Sequence, residues 1–126
     1  RGKAAVVSIE GASSVGGTHR FTPLTPSQIT ADQNNYAPSG SSKYLRLSTD
    51  ASRTITGLSI SQVTGEEHVI INVGSQSIVL ANESASSTAA NRFTNSTGAD
   101  VTLSANQMAD LVYDGTTSRW RVTKRN

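Results

Sequence analysis

Apolar and polar residues alternate with a period of two through most of the chain, and a sustained period near 3.6 is almost absent. "KAAVVSIE" (Lys3 to Glu10) reads as a first strand and is followed by the Gly/Ser loop "GASSVGGT". From Phe21 to Ser42, Pro23, Pro26, Pro38, the pair Asn34-Asn35 and many hydroxyls predict a long connection, with at most a short strand from Gln28 to Ala31. The alternation then tightens. "YLRLST" sets Leu45 and Leu47 against Tyr44 and Arg46, and "RTITGLSI" continues with Ile55, Leu58 and Ile60. In "EHVIINVGSQSIVLAN", Val69, Ile71 and Val73 share one face, His68 is expected on the opposite, solvent face, and Gly74 opens a two-residue hairpin loop with Ser75. The returning strand carries Ile78 and Leu80, with Val79 on its other side.

"ANRFTN", "DVTLS", "DLVYD" and "SRWRVT" complete the set, with turn residues recurring at the spacing of a sandwich or barrel. "SANQMADLVY" also admits a helix, with Ser104 as N-cap and Met108, Leu111 and Val112 on one stripe. The turn pair Asp114-Gly115 and the alternation after it favour a hairpin arm instead. In that hairpin Tyr113, Trp120 and Val122 join Leu111 on the core face, while Arg119, Arg121 and Thr123 face outward. The expected fold is therefore all-β: a single small antiparallel β-sandwich, jelly-roll-like, spanning residues 29–126. An N-terminal strand and arm or linker occupies residues 1–28.

Composition supports this class. A chain of 126 residues suits one domain, and its 19 serines and 15 threonines fit turns and pleated surfaces better than helices. The net charge of +2 is too small for a polyanion binder that must neutralise many phosphates, so no nucleic-acid partner is expected. There is no cysteine, so neither disulfides nor thiolate metal sites hold the fold. No apolar run is long enough for a membrane span and no signal-peptide pattern occurs, so no membrane insertion is expected. The first residue is Arg rather than Met, as in a processed product or a piece of something longer.

Candidate chemistry is sparse. His19 and His68 lack partners at metal-ligand spacing, and adjacent Glu66 and Glu67 point to opposite faces of an extended chain, the wrong arrangement for a cooperating acid/base pair. No calcium-loop pattern links Asp100, Asp110 and Asp114, and no nucleophile elbow surrounds the abundant hydroxyls. The tripeptides at Asn82 and Asn95 match a glycosylation acceptor pattern that so Ser-rich a chain produces by chance. No catalytic residue, metal or cofactor is expected. The residues singled out are structural, namely Gly74, Asp114, Gly115, Tyr113, Trp120 and Val122, with Tyr36, Arg119 and Arg121 as candidates for surface contact.

"ITADQNNYAPSG", "TITGL", "INVGSQSIVLANESASSTAANRF" and "LVYDGTTSRWRV" together resemble a β-domain of bacteriophage virion proteins, chiefly tail fibres, tail spikes and head-decorating proteins. The likeness covers about Ile29 to Val122. It implies a non-enzymatic virion component at the particle surface, assembled as a homotrimer with other virion proteins as partners and a host surface glycan as a candidate contact. Three functions stand open: a tail-fibre or tail-spike domain, a capsid cement protein, and a cellular carbohydrate-binding module. Exposed sheet edges would favour oligomers, with Ile70, Val79 and Val112 as apolar residues left for the interface.

Overall fold

The computed structural model describes residues 21–125. The strand expected over Lys3 to Glu10, the loop after it and His19 lie outside the described residues. The described residues form eight strands: β1 (Tyr44–Leu47), β2 (Arg53–Ile55), β3 (Glu67–Asn72), β4 (Ile78–Leu80), β5 (Phe93–Asn95), β6 (Val101–Leu103), β7 (Met108–Asp114) and β8 (Arg119–Lys124). They make a five-stranded sheet ordered β1-β3-β7-β8-β5 and a three-stranded sheet ordered β2-β4-β6, the two layers of the expected sandwich.

From β1 to β7 the chain changes sheet at every step, and only β7 and β8 are joined as a hairpin. Consequently the pairing is mixed rather than purely antiparallel. β1 runs parallel to β3, β2 to β4 and β5 to β8, whereas β3–β7, β4–β6 and β7–β8 are antiparallel. The Pro-rich segment before β1 adds an outer parallel pass, touching the next one at Leu24 with Leu45, Ile29 with Thr49, Gln33 with Ile55, and Tyr36 with Leu58. Pro23 and Pro26 have no N–H to give, so this pass is tied by single bridges instead of a continuous ladder.

The hairpin expected at Gly74-Ser75 is not formed, because β3 and β4 belong to different sheets. Asn72 explains the crossover. Its amide Nδ2 donates to the carbonyls of Gln76 at 2.7 Å and Leu103 at 2.8 Å, while its Oδ1 accepts the Gly74 N–H at 3.0 Å. A buried side chain thus replaces the turn and ties β3 to β6 of the opposite sheet. Asn95, at the end of β5, makes the equivalent bond to the Leu80 carbonyl of β4 at 2.9 Å.

Leu45, Leu47, Ile55, Ile78, Leu80, Phe93, Leu103 and Trp120 are all fully or almost fully buried and fill the space between the layers. On β3 the core face is the reverse of the expected one: His68, Ile70 and Asn72 point inward, and Ile71 is only half-buried. Ile70 is therefore core and not interface; of the three apolar residues assigned to a second face, only Val79 and Val112 lie outward.

Single contacts from within the chain reach the sheet edges. The Leu24 N–H donates to the Tyr44 carbonyl and its carbonyl accepts the Arg46 N–H on β1, Gln33 does the same with Thr54 and Thr56 at β2, and the Glu83 N–H reaches the Phe93 carbonyl of β5 at 2.8 Å. On β6 the Lys124 ammonium donates to the Thr102 carbonyl at 2.9 Å, which places a charge where a further strand would have to pair.

Candidate functional site

The β7–β8 hairpin closes through Gly115 to Ser118. The Asp114 carboxylate accepts the Thr116 N–H at 3.0 Å, and the residue in the left-handed region is Ser118 (φ 56°), not Gly115. Gly115 is needed for space, since a Cβ there would overlap the Thr64 hydroxyl of the neighbouring loop. Gly74 is likewise a close-approach residue, with a Cβ placed 3.0 Å from that of Ser48.

The hairpin delivers Tyr113, Trp120 and Val122 to the core. The Trp120 ring meets Tyr113 edge-on at 4.9 Å and His68 at 5.5 Å, and its Nε1–H donates to the Leu58 carbonyl at 2.9 Å. The Tyr113 hydroxyl donates to the Ala90 carbonyl at 3.0 Å. Tyr36, a candidate for surface contact, is instead buried, because it lies in the outer parallel pass, bonded through its backbone to Gly57 and Ser59. Burial pushes its hydroxyl pKa up.

Arg119 and Arg121 do lie on the outside, yet both are engaged. Arg119 pairs with Glu83 at 2.8 Å and Arg121 with Asp114 at 3.1 Å. Every carboxylate among the described residues has such a partner. Asp50 holds Arg53, Asp110 holds Arg125, Glu67 faces Lys43 and Glu66 faces His68, while Asp32 and Asp100 accept the backbone N–H groups of Thr54 and Asn82. These contacts lower the pKa of Asp50 through Arg53, of Glu83 through Thr94 and then Arg119, of Asp110 through Arg125, and of Asp114 through Thr117 and then Arg121. Acids and bases also balance between Phe21 and Arg125, eight of each, so the whole formal +2 resides in Arg1, Lys3 and Arg20 against Glu10. A balanced, internally paired surface does not steer a polyanion.

The one constellation that sequence reasoning missed surrounds His68. The imidazole is buried, with Nδ1 2.7 Å from the Ser42 carbonyl and Nε2 2.8 Å from the Glu66 carboxylate. These two acceptors make a polar side chain tolerable on the core face of β3. His68 forms the back of two adjoining clefts that share Lys43 and Glu67. One, of about 280 Å³, is lined by Phe21, Ser41, Gly65 and Glu66 as well; the other, of about 310 Å³, runs over the outer face past Val112, Arg121 and Arg125. Lys43 stands over the Phe21 and Tyr44 rings, 5.4 and 5.8 Å from their centres, and 3.4 Å from Glu67. No signal in the sequence announces this cleft, since Phe21, Lys43 and Glu66 meet only through the parallel stacking.

Among the described residues no group of three or more His, Cys, Asp or Glu side chains is placed to hold a metal ion. Comparison with curated proteins and with solved structures returned no match. A family model, the phage depolymerase C-terminal beta sandwich domain, matches residues 27–121. That span takes in both sheets from the outer parallel pass through most of the final hairpin, so the chain belongs to the family of phage depolymerase C-terminal β-sandwich domains.

Proposed function

We propose that this chain is a non-enzymatic structural module of a phage tail spike or tail fibre, assembled as a homotrimer at the particle surface beside other virion proteins and placed where it touches the host surface. The observation that carries this reading is the family match over residues 27–121, which ties the sandwich to the C-terminal part of a depolymerase. The tail reading is thereby favoured over a capsid cement protein, and over a free-standing cellular carbohydrate-binding module. The engagement of each described carboxylate supports a non-catalytic role. Glycoside hydrolysis needs two carboxyl groups facing one another across a substrate, whereas these acids are spent on arginines, a histidine, a lysine and backbone N–H groups.

Single contacts from within the chain already engage the edges, so threefold assembly is expected to use faces. Among the described residues Val112, exposed at 39%, and Val63, exposed at 63%, are the exposed large apolar groups available for it. The test has two parts. Sedimentation equilibrium should give a species of three times the 13.2 kDa chain mass, and cross-linking of intact particles should join this chain to tail components. A 13.2 kDa monomer at all concentrations would remove the trimer, and cross-links to a capsid shell would remove the tail assignment.

A further inference from the structure

We propose that the outer face of the five-stranded sheet is the contact between copies of this chain, with Glu67 of one copy paired to Arg121 of the next around a parallel threefold axis. This names a surface for the homotrimer read above and rests on that reading.

The inner side of this sheet packs on β2-β4-β6, whereas the described residues form no third layer over its outer side, where the hollow of about 310 Å³ lies. One row of outward side chains crosses the three central strands. Glu67 on β3 is registered with Val112 on β7, and Val112 with Arg121 on β8, so the row reads acid, apolar, base. All three residues are exposed. Neighbouring strands lie about 4.8 Å apart, which puts the two charges on opposite flanks of the valine, roughly 10 Å from each other. Ile71 and Met108 are registered further along the same face and are half-buried, so they widen its apolar middle. An apolar centre with charges at its rim is the usual anatomy of a protein–protein contact.

The two flanks are acid–base couples of opposite sense. On the β3 side Glu67 lies 3.4 Å from Lys43, and on the β8 side Arg121 lies 3.1 Å from Asp114. The Glu67 and Arg121 side chains remain 61% and 47% exposed, and a carboxylate or guanidinium with one partner has further acceptor sites or donors to offer. Brought together, the couples alternate in sign as Lys43, Glu67, Arg121 and Asp114. Such a network is worth more than an isolated surface pair. Around a threefold axis the basic flank of each copy meets the acidic flank of the next, so the arrangement closes on itself. Two copies stacked face to face would instead set hollow against hollow and leave unfilled space, where dispersion contacts are lost.

The experiment is sedimentation equilibrium of the full chain and its variants, with circular dichroism to show that each is folded. The unaltered chain should be a trimer. Glu67→Arg and Arg121→Glu should each raise the concentration needed for assembly at least tenfold, and the double reversal should restore most of the loss. Val112→Asp, which brings three carboxylates toward the axis, should give monomers, while Arg53→Gln on the other sheet should change nothing. The chain has no cysteine of its own, so Glu67→Cys combined with Arg121→Cys should yield a covalent trimer on oxidation. A monomeric unaltered chain would overturn both this proposal and the trimer reading. Trimers that survive all of the charge variants, or a double reversal that fails to restore assembly, would remove this face and leave the trimer standing. A covalent dimer in place of the trimer would overturn the threefold geometry.

Discussion

Replacement of Trp120 by alanine tests the packing argument most directly. The side chain has no exposed surface, and it is the single tryptophan of the chain. Truncating a buried aromatic to alanine costs about 3 to 5 kcal/mol, against a total of about 5 to 15 kcal/mol for a small domain. Trp120 sits toward the upper part of that range. Two edge-on ring contacts are lost with it, and the Leu58 carbonyl loses the indole N–H that binds it at 2.9 Å. The midpoint of thermal unfolding should fall by more than about 12 °C. Because the variant has no tryptophan to report on folding, denaturant unfolding should be followed by circular dichroism, with the slope m unchanged if the unfolded state is unaltered. Trp120→Phe keeps most of the apolar bulk and removes only the donor, and should cost about 1 to 3 kcal/mol. A loss below about 0.5 kcal/mol for Trp120→Ala, the size of an ordinary surface change, would refute the structural role.

Two further outcomes follow from the polar contacts. Asn72→Asp preserves shape but turns a donor facing two carbonyls into an acceptor; it should cost at least the 2 to 3 kcal/mol or so of the lost bonds, and stability equal to the parent in urea would remove the inter-sheet tie. On acidification, Asp50, Glu83, Asp110 and Asp114 bind protons less readily in the folded chain than in the unfolded one. Their contribution is complete above the unfolded carboxylate range of about 4 and is lost as pH falls through the lowered folded values, so melting temperature should drop there, and a flat profile down to pH 2 would contradict the ion pairs.

What the sequence could and could not tell follows from particular elements. The β8 arm of the final hairpin was legible because one parity is apolar and the other is not, with Trp120 and Val122 set against Arg119, Arg121 and Thr123. β3 misleads for the opposite reason. Val69, Ile70 and Ile71 are consecutive, so both parities look apolar, and the choice falls to His68 and Asn72, whose polar groups find partners only in the folded chain. The parallel passes were hidden because their spacing is unequal. Leu24 meets Leu45 while Leu45 meets Ile70, an irregular interval that no fixed-period search detects. Tyr36 and the His68 cleft depend on that stacking, and were invisible with it.

The parallel ladders also fix a timescale. Tyr44 with Val69, Arg53 with Ile78 and Phe93 with Trp120 are each brought together across a loop of roughly 25 residues, and the entropy of closing that loop is spent before any ladder bond forms. Domains dominated by such non-local pairings fold in about milliseconds to seconds, far slower than helical chains of similar size. Here β8 is bonded to β7 on one side and β5 on the other and carries Trp120 into the core, so the chain must emerge through β8 before the core can close. Folding of this module therefore waits for synthesis of β8 instead of proceeding strand by strand alongside translation.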